Sequence, residues 1–236
     1  MVLVDNDCNP AKPGLLCPWG LSIVVATPSK VILFDTGPSP TALMRNAAEL
    51  HVNLRNVSIV VLSHEHFDHI GGVPALRILS INATIYIPRG TSQRVVNWVR
   101  KFDHKIVIVN HSMAIAHGVA IVGPLYGPPP EEALLVEVCS FGPVLITGCS
   151  HPGITRFVEA AKTFTSSNVT MVIGGFHLIG YSKSYVIAIV QQLIQEGVRF
   201  IAPLHCSGPI IRRILSTRYP AHYLQLYVGS KLLLDP

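Results

Sequence analysis

The sequence predicts an α/β fold: one domain over 1–236, made of two similar halves packed sheet to sheet with helices outside. Three observations carry this. Short β-branched apolar runs alternate with amphipathic stretches of helical length along the 236 residues. The chain is 49% apolar and only 13% charged, against about a quarter charged in ordinary soluble domains. Such a composition has two layers of core to fill, or a face to bury in a homodimer. Each half, about 1–122 and 133–236, also reads as a set of strands followed by strand–helix units.

In order, the β-branched runs predict strands at 20–26 (LSIVVAT), 30–35 (KVILFD), 57–62 (VSIVVL), 83–88 (ATIYIP), 105–109 (KIVIV) and 119–122 (VAIV). A second series follows at 133–139, 143–147, 169–173, 198–203 and 223–228. Apolar residues at helical spacing predict helices over 39–51, 72–80, 91–101, 153–165, 183–196 and 208–217. The first begins "SPTALMRNAAEL", with Ser39 as N-cap and Pro40 at the first helical position. The Gly/Pro-rich "GPLYGPPPEE" (123–132) separates the halves and has the composition of a linker. Because neither half alone shows a full complement of chemistry, a single domain is the preferred reading.

Several function classes are disfavoured. No stretch reaches the roughly 18 uninterrupted apolar residues a bilayer span needs; the run from Leu15 to Ala26 is broken by Pro18 and Gly20. No basic segment leads into an apolar one at the N-terminus, so a cytoplasmic protein is expected. The five cysteines form no CxxC pair and are odd in number, which predicts reduced thiols. Net charge is +5, with Arg77, Arg89, Arg94, Arg100, Lys101 and Lys105 gathered in one region. No aromatic interleaving accompanies them, so solvated helix faces explain them better than a nucleic-acid surface.

The chemistry sits in "LSHEHFDHIGG" (62–72). In extended backbone, residues two apart point the same way, so His64 and His66 present imidazoles side by side beyond a strand end. Asp68 and His69 follow, before Gly71 and Gly72 turn the chain into a helix. Clustered histidines gain nothing from packing, and a buried one needs a hydrogen-bond partner. Imidazole with carboxylate suits zinc, and also iron or manganese. The pattern recurs at other predicted strand ends: Asp35 in "FDTG", Cys149 and His151 in "TGCSHPG", His177 in "GGFHL", and His205 and Cys206 in "LHCSG". Functional residues of α/β sheets collect at such ends. "HEHFDH" lacks the HExxH spacing of helical zinc proteases, and "GFHLIG" lacks the lysine of a phosphate loop.

His64-x-His66-x-Asp68-His69, preceded by "FDTG" and followed by histidines at later strand ends, resembles the metallo-β-lactamase superfamily over essentially the whole chain. "GCSHPGI", "GGFHL" and "PLHCSG" look like the branch that includes a pterin-condensing synthase of methanopterin-type biosynthesis. The resemblance implies a four-layer αβ/βα sandwich with one or two divalent metals. It implies His64 and His66 as ligands of the first metal, Asp68 and His69 of the second, and His205 as the histidine completing the second. His151 is the best replacement for the first metal's third histidine, and Cys149 stands where many relatives carry a bridging aspartate. Asp68 and His177 take catalytic roles, His177 as a substrate contact or proton donor, with an ordinary buried histidine as its alternative. Asp35 orients a ligand histidine or braces the loop more readily than it binds metal. The implied activity is metal-dependent hydrolysis of a small anionic ester or phosphate. A pterin-condensing transferase, a nuclease and a non-catalytic metal-stabilised binding protein are the alternatives.

Overall fold

The computed structural model describes residues 1–234, which form two compact units. The first, Met1–Asn110 with Tyr227–Leu232, carries strands β1 (Val2–Val4), β2 (Ser22–Ala26), β3 (Val31–Phe34), β4 (Val57–Val61), β5 (Thr84–Pro88) and β6 (Lys105–Val109) in one sheet, in that order. The pairs β1–β2 and β2–β3 are antiparallel. From β3 to β6 the strands run parallel, which requires crossover connections. Helices α1 (Pro40–Glu49), α2 (Phe67–Ile70), α3 (Pro74–Ile78) and α4 (Gln93–Arg100) lie in those connections. Ser39 caps α1 by accepting from the Ala42 N–H at 3.2 Å, with Pro40 beginning the helix. Leu33, Val60 and Ile85 of the sheet pack with Leu43, Leu76 and Val99 of the helices. Each such side chain contributes about 1.5–3 kcal/mol by burial, well above the 0–1 kcal/mol or so of an exposed ion pair such as Arg77–Asp103.

The second unit is built on His111–Leu226. Its strands are β7 (Met113–Ala116), β8 (Val119–Tyr126), β9 (Pro130–Val138), β10 (Gly142–Thr147), β11 (Met171–Gly175) and β12 (Phe200–Leu204), ordered β12-β11-β10-β9-β8-β7. The meander β7–β10 is antiparallel, and β10, β11 and β12 are parallel. Helices α5 (Ile154–Thr165), α6 (Lys183–Gln195) and α7 (Gly208–Arg218) follow the parallel strands. Phe157, Val190, Leu193 and Ile211 cover Leu145, Val172 and Ile201. The expected α/β class is borne out, as two mixed sheets that each carry helices. In each unit the parallel strands end at one edge of the sheet, so residues far apart in sequence collect there.

Four local expectations are corrected. "GPLYGPPPEE" is no linker: it forms the end of β8, the turn and the start of β9. The strand irregularity between Val122 and Leu125 accommodates Pro124, which cannot donate to a ladder. The strand expected at 223–228 is reduced to one bridge, Ile201–Tyr223, because the chain changes unit at Tyr227 and cannot follow one sheet edge. The metal-motif loop holds a short helix, α2, before Gly71 and Gly72. Finally, Cys8 and Cys17 form a disulfide with Cα atoms 5.4 Å apart, so reduced thiols are wrong for this pair. The turn that folds Lys12 back onto Asn9 brings them within bridging range. Cys139, Cys149 and Cys206 form no disulfide. Among the described residues, no helix is long and apolar enough to cross a membrane.

Candidate metal site

In the first unit, the loops after β3 and β4 interlock. Asp35, fully buried, accepts from the Ser63 backbone N–H at 2.7 Å and the Ser63 hydroxyl at 2.7 Å. Its Oδ2 also lies 2.6 Å from His69 Nδ1. The Thr36 N–H and hydroxyl both donate to the His69 carbonyl. Gly72 is required here because a Cβ would meet the Thr36 carbonyl. Thus "FDTG" and "HIGG" clamp the loop between them.

That clamp sets the imidazoles. His64 Nδ1 lies 2.9 Å from the Ser63 hydroxyl, and its Nε2 lies 3.0 Å from His66 Nδ1. The His64 and His69 rings approach to 4.2 Å between centroids. Asp68 Oδ2 is 3.7 Å from His69 Nε2. His64 and His69 therefore each have Nδ1 engaged by an oxygen and Nε2 turned toward another potential ligand. This is how ligand histidines are usually oriented. Burial pushes the Asp35 carboxyl up from its ordinary value, and the His69 imidazole and the Ser63 donors offset only part of that.

The second unit repeats the device with a residue that sequence spacing does not reveal. Glu131, near the start of β9 and fully buried, accepts from three successive backbone N–H groups, those of Cys149, Ser150 and His151, at 2.7, 2.8 and 2.8 Å. Its Oε2 also lies 2.9 Å from His151 Nδ1. Burial pushes Glu131 up, but His151 and these backbone donors outweigh it and hold the carboxyl below its usual range. The signal that could have found Glu131 is an acid at the head of the apolar strand "ALLVEV". Its Gly/Pro neighbours gave it the look of a linker residue instead.

His151 also meets His177, with ring centroids 4.5 Å apart. His177 is exposed, so it is no buried core histidine. A hydrogen bond from its imidazole to Cys206 raises its pKa, against partial burial. Burial alone would raise the Cys206 thiol; hydrogen bonds with Cys149 and His177 and the charge of His205 hold it well below the ordinary range. Coordinating atoms of Cys149, His151 and His177 lie within 4.8 Å of one another, as do those of Cys149, His205 and Cys206. Asp35, Ser150, His177 and His205 adopt left-handed backbone with φ of 55°, 62°, 51° and 50°. Each such residue costs on the order of 1–3 kcal/mol, and such strain clusters at functional sites.

Within each unit, therefore, the residues singled out by sequence come together: Asp35, His64, His66, Asp68 and His69 in the first, and Cys149, His151, His177 and His205 in the second. The donor set fits a divalent metal. It is made of imidazoles and carboxylates with thiols nearby, and Ser63, Asp35 and Glu131 engage Nδ1 of His64, His69 and His151, respectively.

Residues 20–175 match the family described as Metallo-beta-lactamase superfamily. The chain is 24% identical over 260 residues to the 7,8-dihydropterin-6-methyl-4-(beta-D-ribofuranosyl)-aminobenzene-5'-phosphate synthase of Methanocaldococcus jannaschii, covering 89% of this chain and 88% of that protein. A second protein of that organism, MJ0448, is 26% identical over 244 residues, with 88% and 90% covered. Among solved structures, Tm1679, described as a metal-dependent hydrolase of the beta-lactamase superfamily, matches with TM-score 0.84 at 25% identity over 100% of this chain and 98% of its own. Human tRNase Z, short form, matches with TM-score 0.60 at 13% identity, covering 87% and 91%; at that identity the likeness is one of fold alone.

Proposed function

From the premise that this chain belongs to the metallo-beta-lactamase superfamily, we propose a metal-dependent enzyme that attacks a small anionic ester or phosphate with an activated water. The observation that carries this reading is the pair of buried carboxylate–histidine contacts, Asp35–His69 and Glu131–His151. A carboxylate on Nδ1 fixes the tautomer that leaves Nε2 as a metal ligand and raises its basicity. Matched residue by residue to the superfamily pattern, His64, His66, Asp68, His69, His151 and His205 are the proposed metal ligands, zinc being the preferred ion and manganese or iron the alternatives. When bound, such a metal supplies Lewis-acid chemistry and lowers the pKa of water from 15.7 to about 7.

The chain's own residues do the rest. Asp68, only 23% exposed at its side chain, is given the role of accepting a proton from the attacking water. His177, exposed and with its pKa raised by the hydrogen bond to Cys206, is given the role of donating one to a leaving oxygen. Phe67, between two ligands and 64% exposed, holds its ring centroid 6.4 Å from that of Trp98 and offers a flat apolar face to a substrate ring. Phe67→Ala is expected to raise KM about tenfold for an aryl phosphate, near the ~1.5 kcal/mol upper range of an aromatic contact, with kcat little changed. An unchanged KM in steady-state kinetics would remove Phe67 from the binding surface.

The test of the whole reading is metal content per chain by elemental analysis, for wild type, Asp68→Ala and His205→Ala, beside turnover of a simple phosphodiester. Two metals falling to one, with turnover lost in both variants, is the expected result. No metal in wild type overturns the reading. A second reading, condensation of a pterin with displacement of an anionic leaving group, is supported by the likeness to the M. jannaschii synthase over 89% of the chain. Product analysis after incubation with a dihydropterin diphosphate and an aryl amine separates the two.

A further inference from the structure

Cys206 is not among the metal ligands of the reading above, and its surroundings suit it to be one. It follows His205 directly at the end of β12, while Cys149 comes from the end of β10. The three residues are 5%, 1% and 4% exposed, respectively. The Cys206 Sγ, Cys149 Sγ and a ring nitrogen of His205 all lie within 4.8 Å of one another. Tetrahedral metal–sulfur bonds of ~2.3 Å and metal–nitrogen bonds of ~2.0–2.1 Å put neighbouring donors about 3.5 Å apart, so small side-chain adjustments would bring the three donors onto one ion. The packing around the sulfur is close: a Cβ at Gly175 would meet the Gly148 carbonyl oxygen and come within 2.7 Å of Cys206 Sγ and 3.1 Å of Cys149 Cα. A buried cysteine often behaves as a small apolar residue. Here, however, two thiols share one spot with a histidine, and Cys206 Sγ lies 3.7 Å from the Cys149 carbonyl oxygen, so the sulfur sits among polar groups rather than packed in hydrocarbon.

We propose that Cys206 and Cys149 together ligate the metal held by His205, forming a sulfur-bearing site within the second unit. This rests on the reading of His205 as a metal ligand. On ligation each thiol releases its proton to solvent, and no electron is transferred. Thiolates select soft or borderline ions, so the site takes zinc, cobalt or iron in preference to magnesium or calcium.

Cobalt(II) is the probe, titrated into the full chain after removal of bound metal with a chelator. The expected wild-type spectrum has a near-ultraviolet thiolate-to-cobalt charge-transfer band. That band falls to roughly half in Cys206→Ser and in Cys149→Ser, and vanishes in the double variant, since its intensity follows the number of metal–sulfur bonds. Visible ligand-field bands with no charge-transfer band overturn the proposal and leave the metal reading standing. A band that Cys206→Ser does not change gives the ligation to Cys149 alone and overturns the role of Cys206. Absence of any cobalt bands overturns both readings. If Cys206→Ser does not fold, X-ray absorption of the zinc-loaded wild type decides: two sulfur neighbours at about 2.3 Å support the pair, and one or none overturns it.

Discussion

Glu131→Ala is expected to destabilise the metal-free protein by about 3–5 kcal/mol, the range for removing one partner from a buried, fully hydrogen-bonded charge. The number follows from what the carboxylate touches. It receives three consecutive backbone N–H groups and the His151 imidazole, all in a buried corner. Alanine would leave those donors facing a cavity, and each buried donor without a partner costs about 1–3 kcal/mol. Glu131→Gln keeps the volume but turns an N–H₂ toward donors, so a smaller loss in the same direction is expected. Urea denaturation of chelator-treated protein measures both. A shift below about 1 kcal/mol for Glu131→Ala, the level of an ordinary neutral hydrogen bond, would mean that the corner is wet and that Glu131 does not brace the 149–151 turn.

Asp35→Asn should act on metal rather than on folding. Asparagine tolerates left-handed backbone, which Asp35 adopts with φ 55°, and its carbonyl oxygen can still accept from the Ser63 N–H. Its N–H₂, however, would face His69 Nδ1, where a carboxylate oxygen now sits at 2.6 Å. His69 would then have to accept at Nδ1 and carry its proton on Nε2, the nitrogen needed for a metal. The expected result is a loss of roughly 10–100-fold in affinity for one metal. The far-ultraviolet circular dichroism should be unchanged. Isothermal titration with zinc reads the affinity; full affinity for two ions in Asp35→Asn would show that His69 does not use its Nε2 as a ligand.

These two carboxylates also show how far the site is legible in sequence. Asp35 is legible because "FDTG" follows a strand and stands at a predicted strand end like the other polar residues. Glu131 is not, because its partner lies twenty residues on, and "GPPPEE" has the composition of a connection. Strands such as 105–109 and 143–147 are readable because β-branched runs bounded by turns have few alternatives. Val2–Val4 and Met113–Ala116 are too short to show a period, yet both are paired. The helix Phe67–Ile70 escapes notice for the same reason: four residues make one turn, and the histidine spacing around them suggests a loop. The run at 223–228 has a strand's composition, but its pairing is set by tertiary placement. The Cys8–Cys17 bridge depends on a turn between its ends that cysteine counting does not see.

The aromatic ring beside the ligand loop also makes the protein its own indicator. The sequence contains two tryptophans, and both lie close to the metal motif. Trp98 packs against Phe67, which sits between His66 and Asp68. Trp19 precedes Gly20, where an added Cβ would meet the Asp68 carbonyl oxygen, and the Leu21 N–H donates to that same oxygen at 3.3 Å. Excitation at the red edge of the absorption, where the seven tyrosines do not absorb, therefore reads two indoles that flank the loop in sequence or in packing. Ion uptake at Asp68 should change intrinsic emission directly, so loading, competition between ions and release to a chelator can be followed on unlabelled protein in a fluorimeter. With Trp98→Phe and Trp19→Phe, each single variant retains one indole and shows which side of the loop moves.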